Sequence, residues 1–199
     1  MNGIADVEPT FKCESGSSDH RLNAVWTGLK YGKLSAYWYV LENEEPDAAL
    51  RNVAPQVNAL NPTLRYRENA TAGLRFDGNY TLPITLPVRL LYTAEYAVQE
   101  LENALGLEFD TDYSLIDAGA GYVTGIGLLS ARLARETLGS DRAGNAMQGF
   151  QTPYATKHAF NGWVDMFLNT PAGGLVDSYL TLAADLTPYG IKLMAVYHD

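Results

Sequence analysis

The chain has 199 residues, 47% of them hydrophobic and 19% charged, which is typical of a single ordered domain rather than a disordered chain. A formal net charge of −9 and the lack of a Lys/Arg cluster exclude a protein that tracks nucleic-acid phosphates. No stretch approaches the ~18 consecutive apolar residues of a transmembrane helix. Cys13 is the only cysteine, which excludes an intrachain disulfide and a multi-cysteine zinc site.

The two ends of the chain predict a piece of a longer exported protein. Residues 1–10 have neither the basic nor the apolar stretch of a secretory signal, so we expect such a signal upstream. Residues 195–199, AVYHD, stop in the middle of a strand-like pattern with no turn after it.

Segments with period-2 alternation, rich in Tyr, Leu, Val and Thr, predict β-strands. They are residues 21–30, 33–42, 70–78, 86–99, 111–122, 126–138, 175–186 and 190–198. Each is about the length that a tilted strand needs to cross a bilayer.

Short turns and long loops alternate between these predicted strands. The turns are Tyr31-Gly32, Asp77-Gly78-Asn79, Val123-Thr124-Gly125 and Thr187-Pro188-Tyr189-Gly190, and the long loops lie near 43–69, 100–110 and 139–174. Alternation places all the turns at one end of a sheet and all the long loops at the other. This layout is typical of bacterial outer-membrane barrels.

The predicted strands also have faces of different polarity. In the fourth strand one face carries Val88, Leu90, Tyr92, Ala94, Tyr96 and Val98, and the other carries Arg89, Leu91, Thr93, Glu95, Ala97 and Gln99. The first face suits lipid, and the 13 Tyr and 3 Trp, several near strand ends, favour interfacial aromatic girdles. A soluble antiparallel sheet also alternates, so alternation alone leaves both interpretations open. Strand 111–122 does not follow this division into two faces, because Asp117 falls on the same face as Tyr113 and Leu115.

Several stretches carry unusual residues in a fixed order. They are SDHRLNAVWTGL (18–29), GKLSAY (32–37), LLYTAEYA (90–97), LGSD (138–141), GFQTPYATKHAFNGWVDMFL (149–168) and TPAGGL (170–175). In these motifs, from residue 18 to the end, the chain resembles the alginate export family of porin-like proteins. The resemblance implies an all-β antiparallel transmembrane barrel in the outer membrane of a Gram-negative bacterium. Residues 1–199 would then form one domain that lacks the N-terminal and C-terminal strands of a larger barrel.

The same resemblance implies a function and a set of partners. The barrel would pass polar, anionic solutes such as alginate-like uronate polysaccharide without a cofactor. Its partners would be outer-membrane lipid, the saccharide and periplasmic export proteins.

In such a barrel, the side chains that face the lumen decide which solutes pass. The lumen candidates are Arg75, Arg89, Glu95, Arg132, Glu136, Asp177, Asp185, Lys192 and His198. Arginine donates two parallel hydrogen bonds to a carboxylate, so neutralising Arg75, Arg89 and Arg132 is expected to reduce anion preference. The alternative is that these residues pair with acids on neighbouring strands. A constriction loop that folds into the lumen, or packs at its rim, would use Lys157, His158, Phe160, Asn161, Trp163 and Asp165.

An enzyme is not predicted, because no catalytic constellation is recognisable. His20, His158 and His198 lack metal-ligand spacing, and no G-x-S-x-G motif presents a serine. A glycoside hydrolase that uses Glu95 and Glu136 remains an alternative, because paired carboxylates suffice for that chemistry. A soluble carbohydrate-binding β module is another, and it would stay in solution without detergent.

Overall fold

The computed structural model describes residues 4–7, 10–14, 17–43, 66–103, 106–152 and 170–199. The strands in this part of the chain are β1 Ile4–Val7, β2 Thr10–Glu14, β3 Ser17–Trp26, β4 Gly32–Asn43, β5 Tyr66–Thr81, β6 Val88–Asn103, β7 Glu108–Thr124, β8 Gly127–Leu138, β9 Ser140–Ala143, β10 Ala146–Gly149, β11 Leu175–Leu186 and β12 Ile191–His198. A 3₁₀ turn, Thr187–Tyr189, lies between β11 and β12. The prediction of an all-β antiparallel fold is confirmed.

The strands form one large sheet in which neighbours in the chain are neighbours in space. The order is β1-β3-β4-β5-β6-β7-β8-β11-β12, and β2 pairs with β3 beside β1. All these pairs are antiparallel. Within the described ranges β12 does not pair with β1 or β2, so the sheet there is open. Strands β9 and β10 form a separate hairpin between β8 and β11.

The predicted strands match the observed ones closely, with one shift near the start. The strand predicted at 21–30 is β3, Ser17–Trp26, so its residues 27–30 belong to the turn before β4. Strands β5 and β6 are both longer than predicted, at 16 residues each. Because β5 continues to Thr81, the turn predicted at Asp77-Gly78-Asn79 lies instead at 82–87.

Two of the predicted long loops are different in the structure. The prediction at 100–110 is wrong, because β6 and β7 keep pairing out to Glu102 and Glu108 and only residues 104–107 separate the two strands. The predicted loop 139–174 contains the hairpin of β9 and β10, whose turn includes Gly144 at φ 62. Of the predicted loop 43–69, residues 44–65 lie outside the described part of the chain.

The register gives the sheet two faces of opposite character. The polar face is the set of residues aligned with Arg75, which pairs with Ser35 and Glu95, and the alignment continues through Leu115 to Glu136 and Asp177. The apolar face is the alternate set, which includes Leu74, Tyr96, Ile116 and Leu133. The division predicted for the strand of Val88 and Arg89 is therefore confirmed and extends across the sheet. Asp117 lies on the polar face together with Tyr113 and Leu115, so strand β7 follows the same division into faces as its neighbours.

On β4 to β8 and on β11, the apolar face is more exposed than the polar one. Leu133 is 67% exposed, Ile116 61% and Leu74 56%, whereas Gln99 and Ala97 on the polar face are each 1% exposed. A soluble sheet buries its apolar side chains against a second layer and turns its polar side chains to water. This sheet has the reverse arrangement. The described residues include no helix long and apolar enough to cross a membrane.

Candidate functional site on the polar face

An ion-pair cluster around Arg75 occupies the middle of the polar face. Arg75 on β5 donates from Nη1 to Glu95 Oε2 at 2.7 Å and from Nη2 to Asp77 Oδ1 at 2.8 Å. The Tyr37 hydroxyl on β4 donates to Glu95 Oε1 at 2.7 Å. Lys33 Nζ also approaches Asp77, at 3.8 Å. The positive charge of Arg75 is therefore compensated by two carboxylates.

A second cluster continues the network across β6, β7 and β8. Arg132 on β8 binds both oxygens of Asp117 on β7, with 2.9 Å from Nε to Oδ1 and from Nη2 to Oδ2. Arg132 Nη2 also donates to Thr93 Oγ1 at 3.2 Å, and the Thr93 hydroxyl donates to Asp77 Oδ1 at 3.0 Å. Thr93 thus joins the two arginine clusters, and Arg132 too has its charge compensated.

Further along the sheet, a row of acids is held by aromatic and imidazole groups. The Tyr113 hydroxyl donates to Glu136 Oε1 at 2.7 Å. His198 Nδ1 on β12 lies 2.9 Å from Asp177 Oδ2 on β11, and the Tyr179 ring lies against the His198 ring. Glu136 and Asp177 are paired in register, and both are buried.

The remaining lumen candidates lie nearer the turns. Lys192 Nζ and Asp185 Oδ2 are 3.3 Å apart and well exposed. Arg89 also lies on the polar face, aligned with Thr81 and Gly121. The Arg89 Nε atom is buried without a hydrogen-bond partner, and Arg89 forms no ion pair with any described residue. Of the three predicted selectivity arginines, Arg89 is therefore the one whose charge is uncompensated.

At the loop end of the polar face, the chain after β10 folds back onto the sheet. Gln99 on β6 accepts a hydrogen bond from Gln151 N–H at 2.8 Å and donates from Nε2 to the Gln151 carbonyl at 2.8 Å. The same Nε2 donates to Thr71 Oγ1 at 2.9 Å, and the Thr111 hydroxyl donates to Gln99 Oε1 at 3.5 Å. The side-chain amide of Gln99 therefore has every donor and acceptor engaged.

Phe150 adds an apolar anchor beside this amide. Phe150 clusters with Ala97 and Leu138, and its ring centroid lies 5.6 Å from that of Tyr113. The Phe150 N–H donates to the Gly139 carbonyl at 2.8 Å. Ala97 and Leu138 come from β6 and β8, so Phe150 bridges these two strands across β7.

The β9–β10 hairpin is tied to β7 outside the main sheet. The backbone N–H of Asp110 donates to Asp141 Oδ2 at 2.9 Å. This bond, with a second one from the Arg142 N–H, holds the pKa of the Asp141 carboxyl below its usual range. The carboxylate form of Asp141 thus fixes the hairpin beside β7.

The apolar face has distinct borders at its two ends. Aromatic side chains lie at the turn end, where the Tyr31 and Tyr80 rings meet edge to face at 5.5 Å and the Tyr92 hydroxyl donates to the Tyr31 carbonyl at 2.6 Å. Acidic residues on the same side of the sheet collect at the loop end; they are Glu42, Glu68, Glu100, Glu102, Glu108, Asp110 and Asp112. Between these borders the face is uncharged on β5 from Ala70 to Tyr80.

The structure brings most of the predicted lumen residues onto one face but leaves the predicted loop residues undescribed. Arg75, Arg89, Glu95, Arg132, Glu136, Asp177, Asp185, Lys192 and His198 all lie on the polar face. The constriction candidates Lys157, His158, Phe160, Asn161, Trp163 and Asp165 lie outside the described residues. Glu95 and Glu136 are on strands separated by β7, and each already has its own tyrosine partner.

Sequence analysis missed the functional neighbours of these residues. Gln99 was assigned to the polar face without a role, and Phe150 and Gln151 were assigned to a loop. The Gly144-Asn145 pair, a two-residue hairpin signal, predicts the turn between β9 and β10. No local signal indicates that Gln151 returns to Gln99.

Comparisons of the chain with protein-family models, with curated proteins and with solved structures gave no match.

Proposed function

We propose that this chain forms part of a membrane-spanning β-barrel, in the outer membrane of a Gram-negative bacterium, whose polar face lines a passive conduit. The conduit would pass small polar solutes, with anionic saccharides of the uronate type as the favoured class. The observation that carries the proposal is the inverted sheet, whose apolar face is the more exposed one and whose ion pairs lie on the less exposed face.

The size and continuity of the apolar face support a lipid environment. Large apolar side chains are exposed on neighbouring strands, including Trp38, Leu74, Tyr96, Ile116, Leu133 and Leu182. Soluble monomers rarely expose a contiguous apolar patch larger than a few hundred Å². In a bilayer the same face would be covered by acyl chains.

The length of the uncharged stretch fits a membrane. From Ala70 to Tyr80 the β5 backbone rises by about 34 Å at the usual ~3.4 Å per residue. A tilt of about 45° reduces this to about 24 Å along the membrane normal, close to the ~25 Å apolar band of outer-membrane barrels. The tyrosines at one border and the acidic residues at the other then lie at the level of the head groups.

The chemistry of the polar face supports a water-filled conduit with fixed walls. Arg75 is held between the carboxylates of Asp77 and Glu95, and Arg132 binds both oxygens of Asp117, which compensates both charges and fixes both side chains. Arg89 has no such partner, so its positive charge remains available to a passing carboxylate. Anion preference would therefore come from Arg89 more than from the other two arginines.

Membrane partitioning tests the proposal directly. The protein is expressed behind an export signal, the outer-membrane fraction is isolated, and its gel migration is compared with and without heating. Recovery in that fraction with heat-modifiable migration is expected, followed by conductance in planar bilayers. A protein that remains soluble in the periplasm without detergent would refute the proposal.

A further inference from the structure

We infer that Gln99 positions residues 149–152 over the polar face and thereby sets the width of the conduit at its loop end. The inference rests on the proposed function. It assigns a size-determining role to a contact that joins two parts of the chain 52 residues apart.

The geometry of the contact is that of a clamp on the backbone. One side-chain amide, that of Gln99, binds both the N–H and the C=O of Gln151, each at 2.8 Å. A strand neighbour would offer the same two groups, so Gln99 replaces a neighbouring strand at this point. The bonds of Gln99 to Thr71 and Thr111 tie the amide to β5 and β7 as well. The clamp therefore rests on three adjacent strands.

The burial of the clamp shows where the segment lies. Gln99 is 1% exposed and Gln151 is 5% exposed, although both are on the face that lines the proposed conduit. Asn69, aligned with Leu101 two residues beyond Gln99, is 2% exposed, and its Nδ2 has no partner. Gln99 is covered by the returning segment, because its side-chain amide bonds to the Gln151 backbone, so the segment occupies space on the lumen side of the sheet.

Two further contacts fix the segment before it reaches Gln99. Gly139 N–H donates to the Asp112 carbonyl at 2.7 Å, and Phe150 N–H donates to the Gly139 carbonyl. Gly149 lies so close to the Pro171 carbonyl that a side chain at position 149 would collide with it. These contacts do not depend on Gln99, so loss of the Gln99 clamp is expected to free residue 151 without unfolding the sheet.

The test compares Gln99→Met and Gln99→Asn with Gln148→Met in the full chain inserted in membranes. Methionine keeps the volume of Gln99 and removes its hydrogen bonds, whereas asparagine keeps the amide but cannot reach Gln151. Among the described residues, the Gln148 side chain donates only to the adjacent Gly149 carbonyl, and Gln148 therefore serves as the control. Heat-modifiable migration verifies that each variant is folded.

Two readouts separate the clamp from the conduit. Amide hydrogen exchange of Gln151 is expected to accelerate about tenfold or more in both Gln99 variants, because the Gln151 N–H loses its acceptor on the Gln99 side chain. Neutral polyethylene glycols of increasing size are expected to enter the conduit of the variants at a size that the original chain excludes. Gln148→Met should change neither.

The outcomes distinguish this inference from the proposed function. If the original chain conducts ions and the Gln99 variants keep its size limit, the inference is wrong although the proposed function stands. Unchanged exchange at residue 151 would also overturn it. Absence of conductance in the original chain would refute the proposed function itself.

Discussion

A lysine at Leu74 distinguishes a lipid-facing sheet from a water-facing one. Leu74 lies in the uncharged part of the apolar face on β5, is 56% exposed, and is flanked in register by Ala36 on β4 and Tyr96 on β6. We expect Leu74→Lys to destabilise the folded protein strongly when the apolar face is in a bilayer and only slightly when that face meets water.

The two environments predict different magnitudes. Complete burial of a leucine side chain contributes about 1.5–3 kcal/mol, so the buried part of Leu74, a little under half, accounts for about 0.7–1.3 kcal/mol. The lysine methylenes retain part of that contribution. In water the change therefore costs less than about 1 kcal/mol, whereas a lysine near the middle of a bilayer costs about 2–4 kcal/mol.

Urea unfolding of the protein reconstituted in phospholipid vesicles measures this difference. Tryptophan fluorescence follows the transition, and linear extrapolation to zero urea gives the free energy of unfolding. Asp110→Lys is the matched control, because Asp110 is exposed on the same side of the sheet but within its acidic end. We expect a loss of at least about 2 kcal/mol for Leu74→Lys and less than about 1 kcal/mol for the control. Equal effects of the two variants would refute a lipid-facing apolar surface.

The remaining predictions concern the polar face. Arg75→Gln leaves Asp77 and Glu95 without their cation, so we expect a shift toward cations in the reversal potential and a loss of about 1–3 kcal/mol in urea unfolding. Arg89→Gln should shift the reversal potential without that loss; unchanged potentials in both variants would contradict a lumen-facing position. Gly119→Ala places a methyl group against the Ala131 carbonyl and the Arg132 backbone, and should destabilise by about 1–3 kcal/mol. Gly125→Ala, with open space around it, should change stability by less than about 0.5 kcal/mol. Equal unfolding midpoints for these two glycine variants would contradict the close approach of β7 and β8.

Local alternation predicted the strands because each strand has one polar and one apolar face. Residues 175–186 were predicted as a strand and form β11 with the same bounds. The shift of β3 has a local cause. Trp26 is followed by Thr27, Gly28 and Leu29, and the sequence contains no sharper turn signal before Tyr31-Gly32, so the pattern does not mark where the strand ends.

The candidate site was predictable only in part, because its contacts depend on register. The sequence places Arg75, Glu95 and Arg132 on the polar face, but the sum of their charges depends on which acids lie opposite. Asp117 meets Arg132 only because Gly119 is aligned with Arg132, which puts Asp117 two residues away on the neighbouring strand. The Gln99 clamp depends on the return of residue 151, and alternation carries no information about such long-range contacts.

The sequential order of the strands makes the hairpin the unit by which this sheet grows. Because each strand pairs with its neighbours in the chain, a duplicated or deleted hairpin widens or narrows the sheet without changing any other register. The β8–β11 pair already tolerates 36 intervening residues, numbers 139–174, including the β9–β10 hairpin. Related proteins can therefore differ in strand number and loop length while they retain the same alternation of polar and apolar side chains. The width of the sheet can then change in evolution independently of the side chains on its two faces.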